Sequence, residues 1–320
     1  MKEVLIILDG LMEEQLDFNP TSWCDFSVLN RDLDSLNCIF NLLGYSSNQF
    51  EIGERAYYEA LANGISLQEN EVVLRCNIVR VEDGKLVDFT GGRLPSNIES
   101  ILQEIHVPDG TLYAGDTYKN LLLLKNFSSD IKLYPPHFHV GEDLDILIPK
   151  DWRLQKLMKD SKAVFNQHGL NGCMLWPWGL STVVHLPSFY DRYQKVGAVV
   201  SGIDLVAGMG LALGMKSIKP SLATGYENTD LVQKLEVALS LIQEVDVLIV
   251  HINGLDELAH QKDFAGKLAF LEKINTQFIL PLVNQLSDTM IYITCDHRTD
   301  SKTGKHEVGK VPMWEIVLEK

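Results

Sequence analysis

A chain of 320 residues accommodates one large domain, or one domain carrying a substantial insertion. With 46% hydrophobic and 22% charged residues it is not a disordered, collagen-like or fibrous chain. Its formal charge of −15 opposes counterion-driven attraction to nucleic acid or anionic lipid, so neither is expected as a partner.

Taken in order, the first element is the apolar run Val4–Leu8, which reads as a buried strand ending at Asp9 and Gly10. It has neither the length nor the small-residue cleavage site of a signal peptide. From about Ile65 to Gln167 the texture changes. Glu71 to Phe89 reads as a hairpin turned at Asp83 and Gly84, Pro95 to Ile105 as a short helix, Thr111 to Leu124 as further strand, and Asp151 to Phe165 as a charged helix. The chain is expected to rejoin its core at Leu175 to Gly179. Val196 to Met215 is nearly free of charge and about long enough to span a bilayer, but Asp204 and its glycines favour a strand near Gly197 to Val200 followed by a packed helix over 204–214. A helix over Thr229 to Gln243 precedes the run Val245–Ile252. A helical pattern of Phe264, Leu268, Leu271, Ile274 and Phe278 then separates that run from Met290–Thr294.

This alternation of short β-branched runs with helices predicts an α/β fold, with a mostly parallel sheet flanked by helices and an inserted α+β cap. The expected division is 1–64 with 168–320 as the core, and 65–167 as the cap. Five scattered cysteines with no CxxC pair indicate neither a disulfide framework nor a zinc knuckle, and fit a reducing, cytoplasmic setting.

Ligands of such sheets bind beyond the carboxyl ends of the strands, which is where Asp9, Asp256, Asp296 and His297 are expected to meet. Asp256 and His260 stand four apart, so one helical turn presents both to one ion; a capping Asp with a surface His is the alternative. His306 follows in a polar loop and alone would be a solvated histidine. Together, three carboxylates and three imidazoles without thiolates suit two borderline divalent ions, Mn²⁺ or Zn²⁺, better than Ca²⁺. Paired ions of this kind grip the attacking and leaving oxygens in phosphoryl transfer.

Several motifs then carry a family resemblance: Leu8-Asp9-Gly10, Leu42-Leu43-Gly44-Tyr45, Arg55 with Glu59-Ala60-Leu61, Arg75-Cys76-Asn77, Leu175-Trp176-Pro177-Trp178-Gly179, Ala223-Thr224-Gly225-Tyr226, Asp256 with His260, and Asp296-His297 with His306. The chain resembles the archaeal-type cofactor-independent phosphoglycerate mutases of the alkaline phosphatase superfamily. The resemblance implies a cytoplasmic, glycolytic isomerase acting on a small phosphorylated metabolite. It also implies a serine nucleophile ten residues before Tyr45, namely Ser35, which would pass through a phosphoserine intermediate. One ion would be held by Asp256, His260 and His306, the other by Asp9, Ser35, Asp296 and His297. Arg55, Arg75, Arg93, Lys119 and His137 are the substrate-binding candidates. Trp176 and Trp178 read as packing residues.

The chain departs from the family near the nucleophile. Ser35 follows Gly10 by only 25 positions, without the family's Thr-Pro-Asn-Met-Asp segment, and the family's Ser-Asp-Thr-Ala-His is here Ser35-Leu36-Asn37-Cys38-Ile39. A related metal-dependent phosphomonoesterase or phosphonate hydrolase, and a catalytically silent homologue with a binding role, are therefore the alternatives to the mutase.

Overall fold

The structure, a computed structural model, describes residues 1–25, 33–115 and 117–320. In chain order its strands are β1 Lys2–Leu8, β2 Ser22–Asp25, β3 Glu71–Glu82, β4 Lys85–Asp88, β5 Gly110–Tyr113, β6 Lys119–Lys125, β7 Cys173–Ser181, β8 Gly197–Val200, β9 Lys216–Ile218, β10 Val247–Ile252, β11 Thr289–Thr294, β12 Arg298–Asp300, β13 Lys305–Glu307 and β14 Lys310–Leu318. Contacts divide the chain into a unit of residues 1–52, 61–63 and 185–320, and a unit of residues 53–60 and 64–184.

The first unit holds a seven-stranded sheet in the order β2-β14-β11-β1-β10-β8-β9. β1 lies between β10 and β11 and runs parallel to both, with Leu8 opposite Ile252 and Ile7 opposite Thr294. β8 and β9 continue the parallel array, whereas β14 returns antiparallel against β11. Every residue of β10 is buried, as a strand covered on both faces requires. Val4, Ile6, Leu248, Val250 and Ile291 form one core with Leu231, Leu235 and Ala238 of the helix Leu231–Leu241 and with Phe270 and Ile274 of the helix Phe264–Ile274. Each fully buried aliphatic side chain of this kind contributes about 1.5–3 kcal/mol. Asp230 and Asp263 start those helices by accepting the Gln233 and Gly266 amides, so the sequence marks where each helix begins. The packed helix after β8 covers Asp204–Ala212.

The second unit is built on a five-stranded sheet in which β3 pairs antiparallel with β4, β6 and β7. Asp83 and Gly84 both have positive φ, +47° and +75°, which is the two-residue turn that closes the β3–β4 hairpin. The further strand expected from Thr111 to Leu124 is the antiparallel pair β5 and β6.

The expected boundaries at 64/65 and 167/168 both move. Arg80 to Val73 of β3 pairs with Cys173 to Ser181, so Leu175 to Gly179 belongs to the second unit's sheet and does not rejoin the first. Ala56 and Ala60 pack with Val73, Leu121 and Leu123, which draws 53–60 into the same unit. Among the described residues no helix is long and apolar enough to cross a membrane.

Candidate active site

Because β1 sits between β10 and β11, the residues that follow these three strands share one edge. Asp9 follows β1, Asp296 and His297 follow β11, and the helix Gly254–His260 after β10 carries Asp256 and His260 on one face. The β12–β13 hairpin returns His306, opposite Thr299. Ser35 opens the helix Ser35–Leu42, whose cap is Asp34: its carboxylate accepts the Asn37 amide. The Ser35 hydroxyl is thereby left out of the capping.

All seven residues expected at the ion site come together in two adjoining groups. In one, His297 Nε2 lies 3.3 Å from Asp9 Oδ1, 3.5 Å from Asp296 Oδ2 and 3.4 Å from Ser35 Oγ. In the other, His260 Nε2 lies 3.1 Å from Asp256 Oδ2 and 3.2 Å from His306 Nε2, and His306 Nε2 is 3.6 Å from Asp256 Oδ1. Asp9, Asp296 and His297 are fully buried, whereas the side chains of His260 and His306 are 39% and 26% exposed. One group is thus sealed and the other open to solvent.

The donor set fits cations. His260 Nδ1 donates to the Gly304 carbonyl at 2.9 Å, and His306 Nδ1 donates to the Leu33 carbonyl. Both rings therefore keep the Nε2 lone pair for the site, the arrangement usual for metal-binding histidines. Two such lone pairs face each other across 3.2 Å, and buried Asp296 Oδ2 has no hydrogen-bond partner. A divalent cation satisfies both features; without one, protons must do so. Burial would raise the Asp256 carboxyl, but hydrogen bonds from His260 and His306 and the charge of His297 prevail and hold it well below the usual carboxylate range. The same bond to Asp256 raises His260 to about 9 against the opposing effect of burial.

Several supporting residues carry no role legible in the sequence. His251, on β10 opposite Ile7, directs Nε2 to Asp9 Oδ2 at 3.0 Å and is fully buried; Asp9, His251 and Asp296 lie close enough to hold one ion, as do Asp256, His297 and His306. Burial pushes the His251 pKa down to about 4. The signal for it was a lone imidazole in an otherwise apolar strand. Lys234, entirely buried, donates to the His251 carbonyl at 2.8 Å, and burial lowers it to about 8. Beneath β12, buried Glu13 accepts the Ser301 amide at 2.6 Å and lies 3.5 Å from Lys267 Nζ.

The substrate-binding candidates lie in the second unit and do not all gather. Glu59 joins Arg55 and Arg75, with Oε1 2.8 Å from Arg55 Nε and Oε2 3.0 Å from Arg75 Nε. Arg75 stacks on Trp178 at 4.4 Å, and His137 lies 5.4 Å from the same ring. Trp178 is therefore a platform for a cation as well as a packing residue, its indole N–H donating to Asn77 Oδ1 at 3.0 Å. Arg93 and Lys119 are exposed, Lys119 lying over Tyr118 at 5.5 Å. Leu36 and Ile39, which replace the acidic residue and the histidine of the family pattern, are buried, as is Cys38, and burial pushes the Cys38 thiol up, with Asp296, Asp34 and Asp9 adding to the effect.

A parallel α/β sheet whose central strand ends converge on carboxylates, imidazoles and a helix-opening serine defines an α/β protein with a candidate cation site. A model of the 2,3-bisphosphoglycerate-independent phosphoglycerate mutases matches residues 31–171. The mutase named 1 from Archaeoglobus fulgidus is 30% identical, the alignment covering 98% of this chain and 88% of that protein. A mutase from Methanothrix thermoacetophila is 29% identical over 85% of this chain and 74% of its own length. Among solved structures, a Pyrococcus horikoshii protein superposes with a TM-score of 0.78 at 20% identity, covering 98% of this chain and 87% of its own. The cofactor-independent phosphoglycerate mutase of Thermoplasma acidophilum superposes with a TM-score of 0.59 at 19% identity, covering 99% and 90%. The chain belongs to the 2,3-bisphosphoglycerate-independent phosphoglycerate mutase family.

Proposed function

We propose that the protein interconverts 2- and 3-phosphoglycerate by phosphoryl transfer through Ser35. The supporting observation is the Ser35 hydroxyl 3.4 Å from His297 Nε2, at the rim of a buried carboxylate and imidazole cluster, in a chain of the mutase family. Asp256, His260 and His306 would hold one divalent cation, and Asp9, Ser35, Asp296 and His297 the other. When bound, Mn²⁺ or Zn²⁺ would ease loss of the serine proton and offset the charge of the phosphoryl group.

Ser35 Oγ attacks the phosphorus, a P–Oγ bond forms and the ester P–O bond breaks; the serine proton ends on the released glycerate hydroxyl. The other glycerate hydroxyl then attacks the phosphoserine, its proton returns to Ser35 Oγ, and the isomer leaves. The first turn of the helix Ser35–Leu42 favours the anionic group. Arg55 and Arg75, with planar forks suited to phosphate or carboxylate, would bind the substrate's anionic groups, with His137 beside them; Arg93 and Lys119 are weaker candidates because both are exposed. Water must be kept out while the phosphoserine exists, since hydrolysis competes with the second transfer, and that exclusion is the role proposed for the second unit as a cap.

Replacement of the acidic residue and histidine near Ser35 by buried Leu36 and Ile39 favours a phosphomonoesterase or phosphonate hydrolase as the second reading. Purified protein with Mn²⁺ and 3-phosphoglycerate, followed by ³¹P NMR, separates them. The 2-phospho isomer is expected, and its formation must stop in Ser35→Ala. Inorganic phosphate instead would point to the hydrolase, and no turnover of any phosphomonoester to the silent homologue.

A further inference from the structure

The two groups of ligands are joined by one side chain that is a ligand of neither. Thr299, on β12 and fully buried, places its hydroxyl 2.6 Å from Asp256 Oδ1 and 3.1 Å from His297 Nδ1. A threonine hydroxyl has a single proton. An ionised carboxylate can only accept, so that proton goes to Asp256. Towards His297 the same oxygen must then accept, which requires the imidazole proton on Nδ1. With a cation in place and the ring neutral, Nε2 is left with its lone pair, and Nε2 is the atom facing Asp9, Asp296 and Ser35.

We propose that Thr299 is a positioning residue shared by both halves of the cluster, aiming Asp256 in one and setting the His297 tautomer in the other. The inference rests on the two-cation reading above. The backbone of Thr299 is held on both sides: the amide donates to the Met12 carbonyl at 3.0 Å, and the carbonyl accepts from buried Lys267 at 3.0 Å. Gly10 supplies the space. A Cβ there would lie 2.7 Å from Thr299 Oγ1 and 2.5 Å from Asp256 Oδ1. His260 and His306 take their Nδ1 acceptors from backbone carbonyls, whereas His297 relies on the Thr299 side chain.

The test uses the full-length protein, stripped with chelator and titrated with Mn²⁺ by calorimetry, alongside ¹⁵N-histidine NMR of the protein reloaded with diamagnetic Zn²⁺. Wild type is expected to bind two ions and to show His297 as the Nδ1–H tautomer. Thr299→Val, nearly isosteric but without a hydroxyl, should weaken both binding events about tenfold or more and lose that tautomer's signature, whereas Thr299→Ser should restore both. Wild type carrying the proton on Nε2, or Thr299→Val binding both ions as wild type does, would overturn the proposal. The tautomer readout in unmodified protein decides the matter even should the valine variant fold poorly. Wild type binding no ion at all would refute the two-cation reading itself, and is distinguished by that result.

Discussion

Gly10→Ala measures how tightly the strand-end turn is fitted to the ligand cluster. Gly10 has φ +62°, where an L side chain costs roughly 1–2 kcal/mol. Its new Cβ would stand 2.5 Å from Asp256 Oδ1 and 2.7 Å from Thr299 Oγ1, closer than such atoms approach, so the 2.6 Å bond between those two groups must open. A hydrogen bond to a charged group is worth about 1.5–3 kcal/mol, giving a total destabilisation of roughly 3–5 kcal/mol. Gly84→Ala is the control: φ is +75° but nothing lies within 4 Å, so only the backbone cost of roughly 1–2 kcal/mol applies. Displaced Asp256 should also weaken Mn²⁺ binding about 10–100-fold, removing a further ~1.4–2.7 kcal/mol of ion-linked stabilisation at saturating metal. Urea unfolding with chelator and with excess Mn²⁺ separates the two contributions. If Gly84→Ala costs as much as Gly10→Ala, or if Gly10→Ala keeps the full Mn²⁺-induced stabilisation, the close fit of this turn to the site is wrong.

The remaining expectations concern residues with separable roles. Ser35→Ala should abolish isomerisation yet leave unfolding within about 0.5 kcal/mol of wild type, whereas Asp34→Ala, which removes the helix cap, should cost about 1 kcal/mol; a large stability loss in Ser35→Ala would tie the serine to the fold instead. Arg75→Lys preserves charge beside Glu59 but loses the planar fork and the stack on Trp178, so KM for phosphoglycerate should rise with little change in kcat, and an unchanged KM would remove Arg75 from substrate binding. Burial holds His251 at about 4 in the fold against about 6.5 unfolded, so below pH 6.5 the unfolded chain binds more protons. The His251 contribution to the stability of the metal-free protein is therefore full above about pH 6.5 and falls by about 3 kcal/mol on acidification to pH 4, so wild type should lose about that much more stability than His251→Asn when unfolding is followed across that range.

What the sequence reveals about the site follows from adjacency in a parallel sheet. Val4–Leu8, Val245–Ile252 and Met290–Thr294 are short, β-branched and bounded by polar residues, so they read directly as buried strands, within two residues of the observed bounds. Once they lie side by side, residues at their carboxyl ends must meet whatever their separation in sequence. Asp256 and His260 are legible for a second local reason, since four-residue spacing on a helix fixes a shared face. Asp34, Asp151, Asp230 and Asp263 each cap a helix, because a carboxylate there satisfies otherwise unpaired amides of the first turn.

The illegible parts depend on pairings that local pattern does not encode. Leu175 to Gly179 is as apolar as a core strand of either unit, and only the antiparallel ladder to β3 assigns it. Alternation along a strand distinguishes faces, not partners, so the unit boundary could not be drawn from it. Trp178 looked like packing because a cation above an indole leaves no trace in spacing; Arg75 reaches it across the sheet from the register position opposite. His251 and Thr299 escape notice for a related reason. Each orients a ligand by way of its partner's far atom, so its role exists only after the ligands have been gathered, and no sequence separation predicts a contact between hydroxyl and imidazole two residues apart on a turning chain. Read from residues alone, the atoms that would hold an ion are visible, while those that aim them become visible only through the hydrogen bonds of the folded site.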